Sequence, residues 1–353
     1  MSATLVEPPR IRFTMPADLV AAEPPEDRGL TRDGVRLLLA RPDGLTDSRF
    51  HQMGRYLRPG DLALVNTSAT VAAALDGRRA NGEPVAVHVS VGLDDGIWVI
   101  ELRSSPDAAS RVRDAQAGES VSLANGGTVT LMAAHPDSEV AAGSRLWRAD
   151  VSVGTPFACY LLKYGRPISY GYLRGRFPLS AYQPIFAREP GSAEMASAGR
   201  PFSDALVTDL VTRGVQFAPL LLHSGVSSLE SGEPPEPERF RVPETTARLV
   251  NATRAAGGRV IAVGTTVTRA IETVADPDGT VRAGHGWTDL LLGPDRLARV
   301  VDGLVTGWHE PEASHLLLLE AVAGRELVQE AYDEAVAERY LWHEFGDSAL
   351  LLP

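Results

Sequence analysis

Four polar side chains stand at the ends of apolar runs, where a fold can present them to a ligand. His223 closes "APLLLH", Arg269 and Glu272 stand three apart in "TTVTRAIE", and His309 follows the apolar run in "LVTGWHEPEASH". Residues three apart on a helix share a face. If the three segments are neighbours, two imidazoles, a guanidinium and a carboxylate converge. That set offers a proton acceptor near neutral pH beside a fixed positive charge, and His223, Arg269, Glu272 and His309 are the candidate catalytic residues. The same spacing also allows a local Arg269–Glu272 ion pair, with histidines that only hydrogen-bond at strand ends. Spacing alone leaves both open. His309 and His315 are separated by a proline turn without a compact set of carboxylates, so no metal site is expected. "HSG" at 223 to 225 lacks the G-x-S-x-G elbow of a serine hydrolase. Walker A, Rossmann glycine and HExxH patterns are absent.

The element that must position Arg269 is "GRVIAVGTTVTRAIE", residues 258 to 272. An apolar run ends at Gly264, two threonines follow, and a helical segment begins. Open α/β sheets place ligands at the C-terminal ends of their strands. Exposed amides and the helix dipole there suit a negative or electron-rich group. Gly264, Thr265, Thr266 and Arg269 are therefore candidate ligand-binding residues, although an ordinary strand-to-helix connection has the same pattern. A long Gly-, Pro- and Ser-rich stretch, residues 170 to 202, carries Tyr170, Tyr172, Arg174, Arg176, Tyr182, Gln183 and Arg188. Loops of this length in compact domains are commonly functional or disordered. Aromatics and arginines can stack on bases and hold phosphates. Tyr182 joins the candidate binding set.

Around these segments the pattern changes twice. From 58 to 155, short apolar runs such as "DLALV", "VAVHVSV" and "GIWVIELR" are separated by turns, which predicts a small barrel or sandwich. After residue 156, strands alternate with helices. "SDALVTDLVTRG", "PETTARLVNATRAAGG", "TVTRAIETVA", "SHLLLLEAVAG" and "RELVQEAYDEAVAERYLW" have helical spacing, while "VQFAPLLLH", "RVIAVG" and "WTDLLL" read as strands. The expected architecture is a discontinuous α/β domain, residues 1–57 and 156–353, with an inserted all-β, barrel-like domain at 58–155.

The chain has 353 residues, 44% of them hydrophobic, enough for two domains with their own cores. Its 34 basic and 45 acidic residues leave a formal charge of -11, which argues against a generally basic nucleic-acid-binding surface. Lys163 is the one lysine, and Cys159 the one cysteine, so an intrachain disulfide is excluded. The first twenty residues lack the apolar stretch of a secretion signal, and no run reaches the eighteen apolar residues of a membrane span. A soluble cytoplasmic protein is expected.

Seven pieces, "LRPGDLALVNTS", "YQPIFAREPGS", "SAGRPF", "LLLHSG", "GGRVIAVGTTVTRAIE", "VVDGLVTGWHEPEAS" and "YLWHEFGDSALLL", resemble the S-adenosylmethionine:tRNA ribosyltransferase-isomerases of queuosine biosynthesis, in that family's order. The resemblance covers about residues 15 to 353. It implies an α/β domain with an inserted barrel. It also implies that S-adenosylmethionine, as a cosubstrate and without a permanently bound cofactor, donates its ribosyl part to the exocyclic amine of 7-aminomethyl-7-deazaguanine in tRNA. Adenine and methionine leave. Partners implied are S-adenosylmethionine and tRNA.

The departures fall on substrate-facing motifs. Where the family reads N-N-T-R-V-x-P-A-R, this chain has "NTSATVAAA", with Ala69 and Ala74 in place of arginines. Pro201 takes a histidine position beside Arg200, "SGEPPEPERFRVP" stands where H-x-x-H-x-E is expected, and "LHSGVSSLE" keeps His223 and Gly225. "GTTVTR" loses a serine but keeps Arg269, and "TGWHEP" loses an asparagine but keeps His309. Two alternatives follow: a divergent S-adenosylmethionine-using enzyme acting on a small nucleoside or amine, and a noncatalytic nucleoside- or RNA-binding protein.

Overall fold

The computed structural model describes residues 8–136, 145–226 and 235–353. A nine-stranded sheet is the frame. Its strands in spatial order are Gly284–Thr288, Glu238–Val242, Gln216–Leu222, Leu62–Asn66, Val260–Val263, Gly303–Gly307, Ser348–Leu351, Arg36–Arg41 and Gly44–Arg49. The four from Gln216–Leu222 to Gly303–Gly307 run parallel.

These strands are apolar on both faces, as a sheet covered on both sides requires. Leu62 and Leu64 enter one core while Ala63 and Val65 enter the other; Ala262 and Ile261 divide in the same way. Six α-helices are described: α1 (Phe157–Tyr164), α2 (Asp204–Thr212), α3 (Glu244–Ala255), α4 (Thr265–Thr273), α5 (His315–Ala323) and α6 (Arg325–Ala337). Residues of α3, α4, α5 and α6 fill the first core and those of α2 the second. Ser203 caps α2 by accepting from the Leu206 amide at 3.1 Å, as its sequence predicts.

The insertion is a closed antiparallel barrel of Leu146–Ser152, Trp98–Ser104, Pro84–Gly92, Ala74–Arg78, Ser120–Leu123 and Thr128–His135, with a core of its own. The α/β domain with an inserted barrel is therefore the fold. Two local expectations are corrected. "DLALV", grouped with the insertion, supplies a central strand of the large sheet, Leu62–Asn66, because all five of its residues are buried between two layers. "WTDLLL" is not one strand: pairing ends at Thr288, and the Leu290 carbonyl instead accepts from Arg269. No helix among the described residues is long and apolar enough to cross a membrane.

Candidate functional site

The parallel strands end on a cleft of about 660 Å³, which Arg103 and Ala109 of the barrel domain also line. Gly264 follows Val263 directly and is held by its amide donating to the Val305 carbonyl at 2.8 Å. Its φ of +102° is a conformation that favours glycine, and a Cβ there would stand 3.3 Å from Ala198 Cβ. The chain thus turns abruptly into α4, whose first amides have no intrahelical acceptors. Thr265 and Thr266 line the cleft beside them. Tyr182 lines it too, and its buried hydroxyl has no hydrogen-bond partner. Gly264, Thr265, Thr266, Arg269, Tyr182 and His309 therefore share one cavity.

Arg269 and Glu272 do not pair with each other. Arg269 donates to the Glu238 carboxylate and to three carbonyls, those of Leu290 (3.2 Å), Glu236 (3.2 Å) and Thr288 (3.1 Å). It ties α4 to the neighbouring strands, and most of its donors are occupied. Glu272 is not in the cleft wall. Its fully buried carboxylate accepts from the backbone amides of Arg299, Val300 and Val301 at 2.8–3.1 Å and from Arg296 at 3.2 Å. The lone pairs expected to accept a proton are directed at the 296–301 segment, which they anchor. The structure also does not bring His223 to the wall. Its ring hydrogen-bonds Ser68 Oγ through Nδ1 at 2.7 Å and packs so closely on Gly191 that a Cβ there would lie 2.4 Å away. Burial is the first cause lowering its basicity.

His309 lies in the wall with its ring parallel to that of His315, centroids 4.6 Å apart. Its Nε2 meets Thr306 Oγ1 at 3.1 Å, and its carbonyl accepts from the Trp342 indole at 3.1 Å. Burial, with His315 and His343 nearby, holds it well below the ordinary histidine value. His315 is lowered by burial to about 4. Lowered basicity favours the neutral form of both rings near pH 7, and His309 hydrogen-bonds Thr306. Among the described residues no group of His, Cys, Asp or Glu is arranged to hold a metal ion.

Several wall residues escape sequence reasoning. His343, Glu344, Glu194, Glu236 and Glu238 all line the cleft. Glu236 and Glu238 belong to "SGEPPEPERFRVP", whose residues 231–234 lie outside the described residues. They occupy the stretch where the resemblance expects H-x-x-H-x-E, which was the available signal. Glu236 bonds His135 of the barrel at 2.8 Å, and buried Glu238 also accepts from the Gly225 amide at 3.2 Å. Six glutamates and two arginines line the cleft.

Of the arginines that could form a phosphate track, Arg79 and Arg166 are held by carboxylates, while Arg78, Arg174, Arg176 and Arg188 are exposed. Arg166 pairs with Asp76 at 2.8 Å, and Arg79 with Glu119 and Asp114 at 2.6 and 2.8 Å. Arg174 lies 3.7 Å from Glu23, Arg176 donates to the Pro106 carbonyl, and Arg188 and Arg78 donate to carbonyls of their own loops. Arg200, beside the substituted Pro201, is buried and donates to the Ala181 carbonyl and Glu26. Ala74 is buried at the barrel entrance, and Ala69 sits on a short strand, Ser68–Thr70, paired with Glu189–Ser192.

The family described as "Queuosine biosynthesis protein" matches residues 10–351. The S-adenosylmethionine:tRNA ribosyltransferase-isomerase of Symbiobacterium thermophilum is 34% identical over 96% of this chain and 98% of its own. That of Thermotoga maritima is 30% identical over 96% and 98%. A crystal structure of S-adenosylmethionine tRNA ribosyltransferase from Thermotoga maritima superposes with a TM-score of 0.52 at 28% identity, covering 97% of this chain and 99% of that one. With the family match spanning nearly the whole chain and the fold agreeing, this protein belongs to the S-adenosylmethionine:tRNA ribosyltransferase-isomerase family, as a divergent member.

Proposed function

We propose that the protein transfers the ribosyl part of S-adenosylmethionine to the exocyclic amine of a 7-aminomethyl-7-deazaguanine base, releasing adenine and methionine. The observation that supports this reading is the single cleft lined by Gly264, Thr265, Thr266, Arg269, Tyr182 and His309. A sulfonium makes the adjoining C5′ hydrogens acidic and the sulfur a good leaving group. A cleft with six glutamates suits that cation. The amides opening α4 suit an electron-rich group such as a carboxylate or ribose oxygen. The unpartnered Tyr182 hydroxyl can donate to a ribose oxygen or an adenine nitrogen. Neutral His309 orients such an oxygen or nitrogen, and its low basicity suits it less to holding a proton. S-adenosylmethionine is then a cosubstrate, no cofactor is held permanently, and the compartment is the cytoplasm.

A second reading differs in the acceptor: a small nucleoside or free amine instead of tRNA. The acidic cleft favours it, as does the pairing of Arg79, Arg166 and Arg200 with carboxylates, since phosphate contacts need free positive charge. Incubation with S-adenosylmethionine and modified tRNA, unmodified tRNA or the free base, followed by mass spectrometry of adenine, methionine and added ribosyl mass, tests both. Turnover of modified tRNA with binding that falls steeply with salt supports the tRNA acceptor. Turnover of the free base alone supports the small one. Saturable binding without adenine release would reject both and leave a binding protein.

A further inference from the structure

Tyr170, Tyr172 and His343 form a column of rings in the cleft wall. The tyrosine centroids are 6.1 Å apart, and Tyr172 and His343 stack at 4.5 Å with planes 15° apart. Stacked on both sides, Tyr172 has its hydroxyl left for polar work. It donates to Glu344 Oε2 at 2.6 Å, and the Tyr170 hydroxyl donates to Glu194. Arg103 lies over the Tyr170 ring but donates to Glu101 and the Ala108 carbonyl.

Glu344 has no ion pair among the described residues, and the Tyr172 hydroxyl with Glu344's own backbone amide does not satisfy a carboxylate, which offers about four acceptor positions. Burial, together with the charge of Glu194, pushes its carboxyl up to about 7. The buried Tyr182 hydroxyl lines the same cleft without a partner and is close enough for Glu344 to perturb it. A carboxylate, its carboxylate neighbour and an unused tyrosine oxygen therefore present acceptors and negative charge to one cavity. A primary ammonium, with three N–H donors on one positive charge, is the complementary group.

We infer that Glu344, braced by Tyr172 and flanked by Glu194, is the acceptor-amine site: it binds the primary amine as the ammonium and removes one proton from it. The inference rests on the transfer reading above. In the step, R–NH3+ gives one proton to the Glu344 carboxylate, leaving R–NH2 with a free lone pair and Glu344 as the neutral acid. The proton then leaves to solvent through the open cleft. An acid near the operating pH suits such a transfer.

The test is calorimetry on the full chain at pH 7.5, with the free 7-aminomethyl-7-deazaguanine base and its 7-methyl analogue as probes. A simple arylmethylamine and its methyl analogue form a second pair. The wild type is expected to bind the amine at least about tenfold more tightly than the methyl analogue, the loss typical of a charged hydrogen bond. Glu344→Gln, checked for folding by circular dichroism, is expected to bind both alike. Tyr172→Phe, which keeps the ring, is expected to fall between and decides the matter if Glu344→Gln does not fold. Folded variants that retain the full preference for the amine overturn the inference, whereas adenine release by the wild type would leave the transfer reading intact. Discrimination confined to the arylmethylamine pair and lost in Glu344→Gln keeps the amine site and removes the deazaguanine acceptor. No discrimination by the wild type in either pair overturns the inference.

Discussion

Glu272→Gln separates a structural carboxylate from a catalytic one. In the native chain, Glu272 Oε1 accepts from the Val300 and Val301 amides at 2.8 and 3.1 Å, the Arg299 amide lies within 3.0 Å of both oxygens, and Arg296 reaches Oε2 at 3.2 Å. Glutamine keeps one acceptor oxygen and places an NH2 group against donors in a fully buried site. Hydrogen bonds to a charged group contribute about 1.5–3 kcal/mol each, so losing one and leaving a donor facing donors costs about 3 kcal/mol. That is a large part of a total stability of about 5–15 kcal/mol. For a domain of this size it corresponds to a drop in Tm of roughly 6–12 °C. Thermal unfolding by circular dichroism reads the loss, and adenine release per folded molecule reads the chemistry at a temperature where the variant remains folded. The expected outcome is a lowered Tm with turnover per folded molecule nearly unchanged. An unchanged Tm with abolished turnover would refute the anchoring argument and return Glu272 to the reacting centre.

Gly264→Ala forces a side chain into a φ of +102° beside Ala198; destabilisation of about 1–3 kcal/mol and weaker S-adenosylmethionine binding are expected by denaturant titration and calorimetry. His309→Gln, which removes the orienting ring, is expected to lower turnover about tenfold or more, while His223→Gln, outside the cleft wall, leaves it nearly unchanged; steady-state adenine release compares the two. His315 faces His309 and Arg269, and its folded value of about 4 lies below the unfolded histidine value of 6.5. As pH falls from 6.5 towards 4 the unfolded chain takes up a proton that the folded chain refuses, so the stability present above 6.5 is progressively lost. Urea midpoints of wild type and His315→Gln measured from pH 7.5 to 4.5 should therefore converge towards acid, and parallel curves would contradict the burial of that ring.

Local pattern was enough to specify the elements that carry the site. "RVIAVG" followed by "TTVTRAIE" encodes a buried strand, a glycine turn and an amphipathic helix, because apolar runs, a residue free to adopt positive φ, and helical spacing are properties of neighbouring residues. The alternating turns and short runs of the insertion likewise encode a barrel. Partner choice is a different kind of fact. That Arg269 and Glu272 share a helix shows they can meet, but Arg269 takes Glu238 from the adjoining strand and Glu272 takes three amides from the 296–301 segment. Those partners become available only when the sheet orders its strands. The same holds for Leu62–Asn66, which local pattern grouped with the barrel but which the parallel sheet buries on both faces. Glu344 and Tyr172 lie 172 residues apart and meet because the C-terminal segment and the long 170–202 stretch, which also brings Glu194, line the same cleft. Burial, and with it the shift of a carboxyl or an imidazole from its ordinary value, is created by that closure, so no spacing in the chain announces it.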